Sequence, residues 1–221
     1  MNWQLVLTHN RTALLGLIAT MLGMMPEGRV ITRAARRRVL EILLPSESCV
    51  RRLIVIAMRN VKTPAVRKRA APTRSIPRGE KASGQVPVFD LFDPRRRVET
   101  GKLRHPRVPP RVSFFDEWTP RPRREKATDE DELDTATLHR RIAAMQGALD
   151  DLPRQARRLA RVIARRRQAG NLRVKPMRPG RPPGHRERGK RPVDEMLAGL
   201  NYLALWILEE PPPDWVVADG A

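Results

Sequence analysis

The side chains best suited to chemistry in this sequence are arginines. Arg154, Arg157, Arg158, Arg161, Arg165, Arg166 and Arg167 recur every three or four residues from residue 153 to 167, with no acid among them. A guanidinium grips phosphate through two parallel N–H bonds, where an ammonium acts as a point charge. Like charges at i,i+3 and i,i+4 destabilise a helix, so a facing polyanion would relieve the repulsion. The basic run continues past this stretch. From Arg154 to Arg191 there are fifteen basic residues and one acid, Glu187, a local net charge of +14.

A second group is aromatic. Val88-Phe-Asp-Leu-Phe-Asp-Pro94 and Val112-Ser-Phe-Phe-Asp-Glu-Trp118 hold five of the nine aromatic residues: Phe89, Phe92, Phe114, Phe115 and Trp118. Each island either folds back on helices of its own chain, the favoured reading, or docks into a protein partner's groove. Enzyme chemistry finds little support. The four histidines are scattered, no Cys/His/Asp spacing suits a metal, and no phosphate-binding glycine loop or nucleophile motif occurs. Neither an enzyme nor a cofactor is expected. Cys49, the single cysteine, sits in an apolar stretch and reads as an inert thiol in a reducing compartment.

Composition sets the frame. The 221 residues carry 44 Lys and Arg against 24 Asp and Glu, a formal net charge of +20, which attracts nucleic acid or anionic membrane. Only seven of the basic residues are lysine. A GC-rich coding bias also favours arginine, alanine and proline. With 21 prolines and 4% aromatics, one large core is not expected. The predicted fold is mostly α: a small N-terminal helical bundle and kinked amphipathic helices, joined by long Pro/Arg-rich extended or disordered linkers.

Residues 1–61 read as a three-helix bundle. The first helix, over 3–25, has no charge from Thr12 to Met25, and its stretch 13–25 is apolar on all sides. Its uncharged run falls short of a membrane span, which predicts the central helix of the bundle and a cytoplasmic protein. Peripheral membrane association through this helix is the weaker alternative. A second helix over 32–44 places Ala35, Val39, Ile42 and Leu43 on one stripe and Arg33, Arg36 and Arg37 opposite. A third is predicted to start at Pro45-Ser-Glu47, continuing through Val50, Leu53, Ile54, Ala57 and Val61.

Residues 62–128 are read as a Pro/Arg-rich linker interrupted by the two islands. Residues 129–169 show apolar positions at Leu138, Ile142, Met145, Leu149, Leu152, Ala156, Leu159 and Ile163, spaced four and three by turns. This is the seam of a helix packed on a helix. Pro153, preceded by Asp150 and Asp151, predicts two helices meeting at a kink. Residues 170–192 are read as a basic Pro/Gly linker. Within it Arg178-Pro-Gly-Arg-Pro182 resembles the core of an AT-hook, with Pro179 in place of an arginine; a Pro/Gly turn is the favoured reading. Residues 193–221 form a C-terminal helix over 193–208 and an acidic tail, suited to packing against or shielding the basic helix.

Several stretches resemble an uncharacterised family of basic helical proteins predicted from GC-rich bacterial genomes, of unknown function. They are Met1-Asn-Trp-Gln-Leu5, Leu44-Pro-Ser-Glu-Ser-Cys-Val-Arg-Arg-Leu-Ile54, Asp151-Leu-Pro-Arg-Gln-Ala-Arg-Arg-Leu-Ala160 and Arg181-Pro-Pro-Gly-His185. The resemblance implies a bacterial, cytoplasmic protein and no particular activity. The leading expectation is a non-enzymatic accessory protein that binds a polyanion, nucleic acid first, through the arginines above together with Arg178 and Arg181. The alternative is a helical interaction or scaffold protein, docking on a protein partner through the seam or the aromatic islands.

Overall fold

The computed structural model describes residues 2–26, 28–61, 87–94, 128–170, 175–186 and 191–209. The fold is mostly α, with five helices and one short β-ribbon among the described residues. Helix α1 (Trp3–Gly23) begins at Asn2, whose side chain accepts the Leu5 amide at 3.2 Å. Its second half, from Ala13, is apolar all round, but only Leu14, Ile18 and Met21 of the helix are buried. By length and composition it could cross a membrane, and 17% of its apolar window is buried. It therefore lies at the periphery and not, as expected, at the centre.

The centre belongs to α2 (Arg33–Met58), against which α1, α3, α4 and α5 all pack. Every residue from Pro45 to Ile56 is buried, so neighbours surround this half of the helix. Two helices with a break at Pro45 were expected; one helix runs through it. A proline inside a helix leaves the carbonyl four residues back without its amide. Here that carbonyl is Glu41 O, and Arg191 Nη1 donates to it at 2.7 Å. The turn at 183–184 lies against the same point. Gly184 has φ +81°, and a Cβ there would fall 2.5 Å from Pro45 N. Only glycine fits, because both the backbone angle and the space exclude a side chain.

Thr32 caps α2, its hydroxyl accepting the Ala35 amide at 3.3 Å. Just before it, β1 (Val30–Thr32) pairs antiparallel with β2 (Glu132–Asp134), Ile31 opposite Leu133. The three β-branched residues of β1 suit a strand, but neither strand was expected. The ribbon also delivers carbonyls to the open start of α2: Asp131 O accepts from Arg33 N and Asp129 O from Ala34 N.

Helices α3 (Ala136–Asp150) and α4 (Leu152–Gln168) meet at Asp151, as the proline predicted. Asp151 Oδ1 accepts the Arg154 amide at 3.0 Å and caps α4. All eight seam positions from Leu138 to Ile163 are buried within the chain itself. Helix α5 (Pro192–Glu209) buries Val193, Leu197, Leu200 and Ala204, and its main neighbour is α2 rather than α4. Near its end Trp206 stacks on Trp3, ring centroids 5.6 Å apart, with the Arg59 guanidinium over both rings.

Two non-helical segments complete the core. Residues 87–94, the first aromatic island, bury Phe89, Leu91 and Asp93. Residues 175–186 fall inside the expected basic linker, yet they lie against the helices. Met177 is buried, Asp93 N donates to Pro176 O, and Ser48 Oγ donates to Pro183 O at 2.7 Å.

Candidate polyanion interface

The sequence of α4 divides it into two faces. Leu152, Ala156, Leu159, Ala160 and Ile163 are buried, and the residues between them are chiefly arginines. Arg154, Arg157, Arg161, Arg165, Arg166 and Arg167 are exposed, and Arg158 is half-buried. Arg154, Arg157, Arg158 and Arg161 alone line a depression of about 410 Å³ on this face.

Helix stability accounts for part of this charge. Arg165, Arg166 and Arg167 occupy the last turn, where exposed carbonyls favour cations. Arg154 and Arg157 stand near the opposite end, where the same dipole disfavours them. Two arginines have internal duties. Arg158 Nη1 donates to Phe89 O at 2.9 Å and to Gln155 Oε1 at 3.3 Å. The Arg166 guanidinium lies 4.5 Å from the centroid of the Phe92 ring. Together they fasten the first aromatic island to the edge of α4.

Several arginines elsewhere meet acids. Arg33 pairs with Asp131, Arg37 with Asp129, Arg141 with Glu47, Arg186 with Glu41 and Arg191 with Asp194, all at 2.7–3.2 Å. Arg191 reaches both oxygens of Asp194, and these hydrogen bonds hold the carboxyl below its ordinary range. Deeper still, Arg52 is fully buried and forks onto Asp93 at 2.8 and 3.0 Å. Its Nε donates to Asn201 Oδ1 and Nη1 to Ser48 O. Arg51 lies beside it, 3.5 Å from Glu47, with Nε donating to Asp90 O and the guanidinium over the Phe89 ring. Burial lowers the Arg51 pKa, and Glu47 and Asp93 oppose that change. By contrast, no ion pair or side-chain hydrogen bond joins Arg154, Arg157, Arg161, Arg165 or Arg167 to any described residue.

The expected site residues thus fall into three groups. Of those five, Arg154, Arg157, Arg161 and Arg165 share one open face, and Arg167 follows in the last turn. Phe89 is buried in its own chain and Phe92 is half-buried beneath Arg166, so the first island is an internal anchor. Phe114, Phe115 and Trp118 lie outside the described residues. Arg178 and Arg181 form a closed turn with Gly180 at φ +80°, and Arg178 Nε and Nη2 both donate to Arg181 O. The turn sits beside the island, since Arg178 N donates to Asp93 Oδ2 at 3.3 Å. Sequence reasoning missed Arg51 and Arg52 as ion-pairing groups. The available signal was two adjacent arginines inside an apolar helical block, which burial obliges to find acids.

Cys49 is buried, and that burial pushes its thiol pKa up to about 12. Among the described residues no cluster of three or more His, Cys, Asp or Glu could hold a metal ion. Comparison with family models, curated proteins and solved structures finds no match to the chain.

Proposed function

We propose that the protein is a non-enzymatic accessory protein that binds nucleic acid through the outer face of α4. One observation carries the reading: Arg154, Arg157, Arg161 and Arg165 on one face of α4, with Arg167 in its last turn, meet no carboxylate among the described residues. Arg154 to Arg165 spans about 16 Å of helix, a length over which duplex DNA carries about ten phosphates. The face offers charge and forked donors, and its depression is lined by arginines alone, with no aromatic ring to stack on a base. It therefore suits backbone binding with little sequence preference.

Fluorescence anisotropy with a short DNA duplex and a single-stranded RNA tests this. The variant carries Arg154→Gln, Arg157→Gln, Arg161→Gln and Arg165→Gln; Arg158 is kept because it holds the aromatic island. Binding should weaken at least about tenfold at low salt. A folded variant that holds both probes as tightly as the parent defeats the reading.

Helix α1 favours a second reading, association with a lipid surface, because its apolar window is long enough to span a bilayer and mostly uncovered. Recovery in the membrane pellet after a high-salt wash supports it, since salt strips electrostatic adherents and leaves inserted helices. Release into the supernatant removes it.

A further inference from the structure

A second basic site lies away from α4. The first half of α2, strand β2 and the turn at 184–186 line an open depression of about 550 Å³, within the range that holds small organic ligands. Arg33, Arg36, Arg37, His185 and Arg186 line it, with Glu41 as the single acid, and Leu40, Leu44 and Leu133 supply an apolar wall.

Buried polar atoms are nearly always hydrogen-bonded, so each exception asks for an explanation. Among the described residues three buried side-chain atoms lack a partner: Arg33 Nε, Arg36 Nε and His185 Nδ1. All three belong to residues lining this one depression. The other guanidiniums here are engaged: Arg33 Nη2 on Asp131, Arg37 Nη2 on Asp129 and Arg186 Nη2 on Glu41. Arg36 has no hydrogen bond or ion pair among the described residues. The site is also held in shape. His185 follows Gly184, whose backbone sits directly against Pro45.

Two guanidinium N–H groups and an imidazole nitrogen that is a donor in one tautomer belong to residues lining one depression, a set that suits the oxygens of a single tetrahedral anion. The edge formed by Nε and Nη is the face on which arginine binds phosphate through two bonds. The apolar wall has no use for inorganic phosphate and can cover a carbon body. We propose that the depression binds a phosphorylated small organic molecule. Its phosphate rests on Arg36, Arg33 and His185, and its carbon body rests against Leu40, Leu44 and Leu133. This site is independent of the nucleic-acid reading of α4.

Isothermal titration of the full chain with phenyl phosphate and with inorganic phosphate tests the proposal. Phenyl phosphate should saturate at one per chain and bind about tenfold tighter than inorganic phosphate, since its ring leaves water. Arg36→Gln should weaken phenyl phosphate about tenfold or more through the lost charge-assisted bonds. Leu44→Ser, at a partly exposed position, should weaken phenyl phosphate and leave inorganic phosphate unchanged. The α4 glutamine variant should bind phenyl phosphate as the parent does. Non-saturating binding, or equal affinity for the two probes, overturns the proposal and assigns the effect to general surface charge. Unchanged affinity in folded Arg36→Gln overturns it too, with folding checked by circular dichroism. If Arg36→Gln does not fold, Leu44→Ser decides, and unchanged phenyl phosphate affinity there is fatal.

Discussion

Replacing Asp93 with alanine removes the carboxylate that two buried arginines share. In the parent, Asp93 accepts from Arg52 at 2.8 and 3.0 Å and from the Arg178 amide at 3.3 Å, and stands 3.9 Å from Arg51. Arg52 is fully buried, so water cannot take the place of the lost oxygens without opening the core. Breaking one side of a buried pair costs about 3–5 kcal/mol. That is a large share of the roughly 5–15 kcal/mol by which domains are stable. The midpoint of thermal unfolding should fall by roughly 6–20 °C, at about 2–4 °C per kcal/mol for a chain of this size. The assay is urea and thermal unfolding followed by circular dichroism, with the companion variant Asp93→Ala/Arg52→Met. Removing both charges abolishes the stranded cation, so the double variant should be more stable than Asp93→Ala. A loss below about 1 kcal/mol for Asp93→Ala would refute the reasoning. A double variant no better than the single would do the same.

Gly184→Ala should destabilise the fold by roughly 2–4 kcal/mol, from the left-handed backbone and a Cβ 2.5 Å from Pro45 N; the urea midpoint measures it. Cys49 should resist a thiol reagent in the native state and react after denaturation, because burial keeps it protonated and covered. Arg191 holds the Asp194 pKa below its unfolded value, so this pair stabilises the fold above the ordinary carboxylate range. Its contribution is lost as pH falls through the depressed native value. Acid unfolding curves of the parent and Asp194→Asn should therefore converge at low pH and separate as pH rises; parallel curves contradict the assignment.

Local signals in the sequence carried much of the fold. The apolar spacing from Leu138 to Ile163 marked the buried side of α3 and α4, and Asp151 with Pro153 marked their junction. The amphipathic run after Arg191 marked α5 within a residue at each end. What stayed hidden depends on partners far apart in the chain. Pro45 reads locally as a break, and the arginine that serves its orphaned carbonyl lies at 191. Residues 175–186 read as linker because their Pro/Gly content matches one, while the contacts that hold them come from Ser48 and Asp93. Helical spacing placed the arginines of α4 on one arc. It could not separate Arg158 and Arg166, tied to Phe89 and Phe92, from the five that are not. The depression beside Arg36 had a visible charged stripe, but the turn that completes its lining comes from residues about 150 positions later.

The salt dependence of nucleic-acid affinity tests the central claim most directly. Each phosphate neutralised on duplex DNA contributes about 0.9 to the slope of log affinity against log salt. Five arginines of α4 without an ion pair among the described residues therefore predict a slope of about −4 to −5. Substituting Arg154, Arg157, Arg161 and Arg165 with glutamine should bring it roughly three to four closer to zero. Parallel lines for the parent and a folded variant would contradict the account, because phosphate would then be meeting some other surface.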